Sequence, residues 1–374
     1  MRKHLTIGVA VLRGTKAQRD KLSGILRFAA TKPNWVVKII DSPEPSNPHL
    51  DGQIILTGQI PLLRASAARP TVVVDYTGVS HPHATSVFID NYAIGEMAAD
   101  FFIRRRIPNI AAVQYGFGGN SVHSSQRIDG FAAAAAKSAL KTLVYTPASE
   151  AENDFLCGSE AFLSWLRELP KPCGIFCFYD RQARDVLDCC RLTQLSIPNQ
   201  VLILGVDNEA DICEVTRPTL SSIQPDFEAA GHCAAKALDG LLSHRKVRRS
   251  YSYGILRLVE RESTRPMNAG GRIVSAAIRT IQSNEEKPTV AGLARELHVS
   301  TTLLNRRFNE ILGYGPKEEI DRQRLAKIKE LLRDPSLSVT EVADLCHFAH
   351  SDELHHFFRR RAGLTPSQWR DKHA

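Results

Sequence analysis

Several polar side chains of this chain stand where a short apolar run stops. Val87-Phe-Ile-Asp90-Asn91 ends on a carboxylate, and so do Phe178-Tyr179-Asp180 and Leu204-Gly-Val-Asp207-Asn208. An arginine lies in Gln126-Arg127-Ile-Asp-Gly130-Phe131, near the start of a helical stretch. Carboxylates that accept from hydroxyls, an arginine fork that donates, and an aromatic face are the groups that hold a polyhydroxylated ring. The same residues also read as helix caps or solubilising strand ends, and spacing alone leaves both readings open. No P-loop, Gly-x-Ser-x-Gly or His-Glu-x-x-His motif occurs, so no enzyme, cofactor or metal site is expected.

The elements that must position these groups alternate. Apolar β-branched runs cover Thr6–Leu12, Trp35–Ile40, Gln53–Leu56, Thr71–Asp75, Val87–Asp90, Ile110–Tyr115, Gly174–Phe178 and Leu202–Asp207, with amphipathic stretches at 16–30, 92–105, 122–138 and 181–194 between them. Strands alternating with helices predict parallel sheets covered on both faces. About 250 residues of this pattern exceed one compact sheet, so two α/β lobes with a cleft between them are expected, with ligand at the carboxyl ends of the strands.

Composition bounds the class. The 374 residues hold 43% hydrophobic side chains, which excludes a disordered chain. The formal charge of +8 is compatible with a polyanionic partner, but residues 271–374 carry 17 Lys/Arg against 14 Asp/Glu, so charge does not mark one end. Eight cysteines, among them Cys173, Cys177, Cys189, Cys190 and Cys346, form no CxxC pair. Cys173 and Cys177, beside the apolar run at 174–176, read as buried thiols of a reducing compartment. The N-terminal apolar run is too short for a signal peptide and no stretch reaches membrane-span length, so a cytoplasmic protein without membrane contact is expected.

Charge, proline and paired glycine around Val259–Gly271 mark a linker. Beyond it the chain repeats itself. Val290, Ala294 and His298 recur 49 residues later as Val339, Ala343 and His347; Leu304, Phe308, Gly313 and Pro316 recur 50 later as Leu354, Phe358, Gly363 and Pro366. Each unit reads as a short helix, a tight turn and a second helix with one buried stripe, the signature of a helix-turn-helix that lays its second helix in the major groove. The stripe Ile320, Leu325, Ile328, Leu331 and Leu332 predicts a helix between the units, holding them about one DNA turn (~34 Å) apart. Ser338 with Glu341 and Thr365 with Gln368 fit capping boxes.

Two resemblances follow from these residues. Val87-x-x-Asp90-Asn91-x-x-x-Gly95, Ser125-x-Arg127-x-x-Gly130-Phe131, Tyr179-Asp180-x-x-Ala183, Ile203-Leu-Gly205-Val-Asp207-Asn208 and Leu220-Ser-Ser-Ile-x-x-x-Phe227 together resemble the sugar-binding domain of LacI/GalR-type regulators, relatives of periplasmic binding proteins. That resemblance implies ligand contacts at Asp90, Arg127, Tyr179, Asp180, Asp207 and Phe227; Tyr179 departs from the small polar residue common there. Ala294-x5-Ser300-x3-Leu304-x-Arg306-x-Phe308, Arg324-Leu-Ala326-x4-Leu331-Leu332 and Phe348-x9-Phe358-x4-Gly363-x-x-Pro366 resemble the AraC/XylS-type DNA-binding domain. His298 and His347 replace its turn glycines, at a small expected stability cost. DNA contacts are implied at Ser300, Thr302, Asn305 and Arg306, and at Asp352, Glu353, His356 and Arg359. Asp352 and Glu353 either accept from cytosine N4 or cap a helix; Arg359, Arg360 and Arg361 are expected on phosphate or in solvent.

The expected domains are a sensor at 1–264, a linker at 265–271 and a double helix-turn-helix domain at 272–374. The pairing implies a homodimer reading a double-stranded DNA operator, with possible contact to RNA polymerase. Its effector would be a xylose-like pentose activating carbohydrate-utilisation genes. The alternatives are a repressor answering to another carbohydrate, or a carbohydrate-binding or sugar-processing protein.

Overall fold

In a computed structural model, the described residues are 4–11, 14–40, 49–56, 69–75, 84–116, 122–265, 269–283, 288–332, 334 and 337–373. They form two compact units, one of residues up to 265 and one of residues from 266 onward together with 106–108.

The first unit holds two six-stranded sheets. One has the order β11-β5-β4-β3-β1-β2, built from β1 (Leu5–Ala10), β2 (Trp35–Ile40), β3 (Gly52–Ile55), β4 (Thr71–Val74), β5 (Ala84–Ile89) and β11 (Ser250–Tyr253). The other has the order β12-β10-β9-β8-β6-β7, from β6 (Asn109–Val113), β7 (Thr142–Tyr145), β8 (Cys173–Cys177), β9 (Val201–Val206), β10 (Ser221–Pro225) and β12 (Ile255–Val259). The expected two-lobed α/β architecture holds. The central strands are buried along their whole length, as a sheet covered on both faces requires. One correction concerns direction: β12 pairs antiparallel with β10. It follows β11 after a single residue, Gly254, and so enters the second lobe without a crossover helix. Leu12, the last residue of the first expected strand, lies outside the described residues.

Two helix pairs set the site. Helix α1 (Lys16–Ala29) packs on α6 (Phe227–Leu242), and α2 (Asn91–Arg104) packs on α3 (Val122–Lys137). Both crossings need glycine. A Cβ on Gly24 would lie 2.0 Å from the Glu228 carbonyl oxygen and one on Gly231 1.8 Å from that of Lys21; in the second pair Gly95 would meet the Arg127 oxygen at 2.0 Å and Gly130 that of Tyr92 at 2.1 Å. These backbone contacts fix where Lys21 and Arg127 stand. Between them the chain adds α4 (Glu160–Glu168) and α5 (Asp180–Leu192), which cover the second sheet. Cys173 and Cys177 are buried free thiols there, as expected, but Cys189 is disulfide-bonded to Cys157, with Cα atoms 5.2 Å apart. The reduced-thiol reading therefore does not extend to that pair.

The second unit is helical: α7 (Ala269–Ser283), α8 (Val290–Glu296), α9 (Thr301–Leu312), α10 (Pro316–Leu332), α11 (Val339–Leu345), α12 (Ser351–Ala362) and α13 (Pro366–His373). Gly270 and Gly271 open α7 instead of belonging to a linker, and residues 266–268 of that linker lie outside the described residues. Two cores form. Leu304, Phe308, Ala294 and Ile320 join α7 in one; Leu354, Phe358, Ala343, Ile328 and Leu332 make the other. Helix α10 thus splits its apolar stripe between both units. His298 and His347 take φ of +52° and +55°, the left-handed turn that glycine would adopt without strain. Both expected capping boxes are present.

Gly130→Ala is expected to force α2 and α3 apart and to destabilise the chain by about 3 kcal/mol. Chemical denaturation measures it; an unchanged midpoint would mean the helices are free to separate.

Candidate functional site

The polar groups converge at the carboxyl ends of the parallel strands. Arg127, on α3, is only 6% exposed. Its Nε donates to Asn91 Oδ1 at 2.8 Å, one Nη donates to the Phe178 carbonyl, and its guanidinium stacks 4.1 Å from the centre of the Phe178 ring. Burial pushes its pKa down, while Asp207, Tyr253 and Asp75 push it back up. A buried cation tolerates its site only when charge and hydrogen bonds compensate it, and these residues do so. Asp207, half-buried just beyond β9, has its pKa raised by desolvation and held back by Arg127 and Lys21.

Of the residues expected from sequence, Arg127, Asp207 and Phe227 share this neighbourhood. Phe227 opens α6, which Asp226 caps by accepting from the Ala229 N–H at 2.9 Å. Lys21 Nζ lies 5.0 Å from the Phe227 ring centre. Asp90 caps α2, accepting from the Ala93 N–H at 3.0 Å. Tyr179 stands edge-on to Tyr115, ring centres 5.0 Å apart. Asp180 is 1% exposed, and both its oxygens meet protein donors: the Ser222 hydroxyl at 2.6 Å and the Glu209 N–H at 2.8 Å. Burial, then the nearby Asp207 charge, raises its pKa to about 8.

Sequence reasoning missed Lys21, Asp75, His123 and Tyr253, and quoted Asn91 without a role. Lys21 is ion-paired to Asp75, which also accepts from the Tyr253 hydroxyl at 2.8 Å. Asn91 bridges Arg127 to His123, whose Nδ1 lies 3.1 Å from its Nδ2. Asp75 ends an expected strand, so the signal that found Asp207 would have found it, whereas Tyr253 ends β11, a strand the sequence pattern does not show. Lys21 and His123 sit within helical stretches and carry no such signal.

On the second unit, Thr302, Asn305 and Arg306 form an exposed strip on α9, and Ser300 caps that helix. Arg306 is 61% exposed, with Glu310 at 3.7 Å, so it is loosely held. On α12, Asp352, His356 and Arg359 are exposed one turn apart. Glu353, in the first turn, reaches back to accept from the Ala349 N–H at 3.1 Å, just ahead of the helix. Arg361 is half-buried and ion-paired: it donates to Glu318 and Asp321 of α10, each at 2.6 Å. Arg324 of α10 stacks 3.4 Å from the Phe348 ring centre and donates to the Cys346 and His347 carbonyls, each at 3.0 Å. The Cys346 carbonyl is an orphan acceptor at the end of α11, and that of His347 follows in the turn.

Residues 99–264 match the family described as a periplasmic binding protein-like domain, and residues 293–372 match the helix-turn-helix domain family. The chain is 24% identical over 292 residues to a xylose operon regulatory protein of Haemophilus influenzae, covering 78% of this chain and 76% of that one. It is 24% identical over 294 residues to the protein of the same name from Escherichia coli K12, with 78% and 75% covered. A solved xylose-binding transcription activator aligns over 100% of this chain and 99% of its own, with a TM-score of 0.61 and 22% identity. The chain is a DNA-binding transcription regulator. Its double helix-turn-helix unit follows a periplasmic-binding-protein-like domain, and the two relatives it matches over three quarters of their length are named as regulators of an operon. Among the described residues no helix is long and apolar enough to cross a membrane.

The regulator's Asp180 carries a pH signature. Its folded pKa of about 8 lies above the ordinary carboxylate value of about 3.9 that it takes when unfolded. The native state therefore holds a proton that the unfolded chain has lost, and this contribution, complete below about pH 4, disappears as pH rises to about 8. Asp180→Asn is expected to flatten the fall of stability across that window in denaturant titrations. An unaltered slope would show that Asp180 is ionised in the fold.

Proposed function

We propose that this regulator is a cytoplasmic homodimer that activates carbohydrate-utilisation genes when a xylose-like pentose enters its sensor. In this reading residues 1–264 sense and residues 272–374 read the operator. The single observation that carries it is the cluster of charged groups at the strand ends, in which Lys21 and Arg127 are buried and Asp75 and Asp207 half-buried. Arg127, Asp207, Lys21 and Asp75 offer forked donors and acceptors, and Phe227 offers an apolar face. That is the chemistry a neutral polyhydroxylated ring requires. The names of the relatives, which regulate xylose operons, agree with it.

Asp90, Arg127, Tyr179, Asp180, Asp207 and Phe227 are proposed to form or border the effector site, with Arg127 the central donor. Asp180, its oxygens engaged, acts by holding the loop beside Asp207. Thr302, Asn305 and Arg306 are proposed to face bases from the first unit, Asp352, His356 and Arg359 to face DNA from the second, and Ser300 and Glu353 to set the two helix starts. Effector binding shifts the chain between two states by its differential affinity for them. Contact with RNA polymerase would convert operator occupancy into activation.

Calorimetric titration of the full chain with a panel of pentoses and hexoses tests the effector. D-xylose is expected to give the tightest binding, and no heat from any sugar overturns the reading. Arg127→Ala is expected to abolish sugar binding while the chain still binds its operator; loss of both would mean that Arg127 serves folding. Arg306→Ala is expected to cost about 1–3 kcal/mol of discrimination at one operator position, read by binding to operators varied base by base.

A further inference from the structure

The turn that ends β9 does more than present Asp207. Asp207 and Asn208 take φ of +104° and +55°, the left-handed region that side-chain-bearing residues adopt only when their surroundings enforce it. The enforcement is visible. The Asn208 N–H donates to Ser222 Oγ at 3.0 Å, its Nδ2 to Gln224 Oε1 at 3.0 Å, and Arg261 donates to its Oδ1 at 2.8 Å. The next residue, Glu209, is thereby aimed out of its own lobe.

Its carboxylate meets the start of α1. The Lys16 N–H donates to both oxygens, at 2.9 and 3.0 Å, and the Ala17 N–H lies 3.5 Å from one of them. These are the first two residues of α1, whose cap, Thr15, accepts from the Gln18 N–H. Glu209 thus takes orphan donors that the cap leaves, and its charge faces the positive end of the helix. Helix α1 follows β1 of the first sheet and presents Lys21 at the site, whereas Glu209 follows β9 of the second sheet. The contact therefore ties one lobe to the other, two residues along the chain from Asp207.

We propose that Glu209 is a positioning residue for effector binding: the latch that holds the two lobes together over the site. The proposal rests on reading that cluster as the effector site. A carboxylate on helix N–H groups is a charge-assisted contact, stronger than a neutral one. Apparent affinity scales with the fraction of molecules in the binding-competent state, so an interlobe contact that raises this fraction raises affinity without touching the sugar. The strained turn makes the latch and Asp207 move as one.

The start of α1 offers a clean test, because the donor is backbone. Lys16 is the first helical residue, where proline fits, and Thr15 before it is already extended at φ −112°, ψ 156°, as a residue preceding proline must be. Lys16→Pro deletes the N–H and keeps the helix; Lys16→Ala keeps the N–H and deletes the side chain. In the full chain without sugar, Glu209→Gln is expected to speed hydrogen exchange of the Lys16 and Ala17 amides. By calorimetry, Glu209→Gln and Lys16→Pro are each expected to weaken D-xylose binding about three- to tenfold. The double variant should be no weaker than either single one, and Lys16→Ala should match the unaltered chain. Unchanged exchange, additive losses, or an equal loss in Lys16→Ala overturns the latch. If the unaltered chain binds no sugar, the effector reading fails, and the exchange result alone decides the latch.

Discussion

A guanidinium buried in the first unit sets the terms for everything around it. Arg127 cannot be held at 6% exposure without acceptors and counter-charge. Its acceptors come from three places: Asn91 on α2, the Phe178 carbonyl at the end of β8, and the field of Asp207 beyond β9. Each needs a strand or helix to end at the same point in space. The parallel order of the two sheets makes the strand ends meet there, and the glycine contacts at Gly95 and Gly130 bring α2 and α3 close enough for Asn91 to reach the arginine. The second pair, α1 with α6, repeats the device for Lys21 and Phe227.

The same economy of charged groups appears in the helical unit, where arginines carry structure. Arg324 and Arg361 fasten α10 to the second helix-turn-helix through carbonyls, an aromatic face and two carboxylates. Since α10 also gives Ile320 to the first core, it joins both helix-turn-helix units into one framework. A helix of 17 residues spans about 25 Å. Arg361 is thus engaged within the protein, whereas Arg306 and Arg359 are exposed.

Much of this was legible beforehand because it is periodic. The eight expected strands occur where apolar β-branched runs predict them, within a residue or two at their starts except for β5, which begins earlier. The repeat of 49 to 50 residues located both helix-turn-helix units, and even the histidines in their turns took the left-handed conformation that the missing glycines implied. The strands that were missed, β7, β10, β11 and β12, are four or five residues long, and β7, β11 and β12 are partly exposed, so their composition resembles loop. The start of α7 was missed because paired glycine reads as linker when its burial is unknown.

The sequence by itself determined the two architectures, the order of the domains, and the strand-end residues Arg127, Asp207 and Phe227, because these follow from hydrophobic period and local motif. Only the tertiary structure decided what each charged group faces. Lys21 and His123 joined the site, Asp180 and Arg361 were committed to protein partners, and Glu209 was found on a helix 193 positions away. The physical reason is that a pattern read along the chain reports which face of an element is buried. A salt bridge or hydrogen bond between elements depends instead on distances of about 3 Å, and these are set only when the sheets and helix pairs have packed.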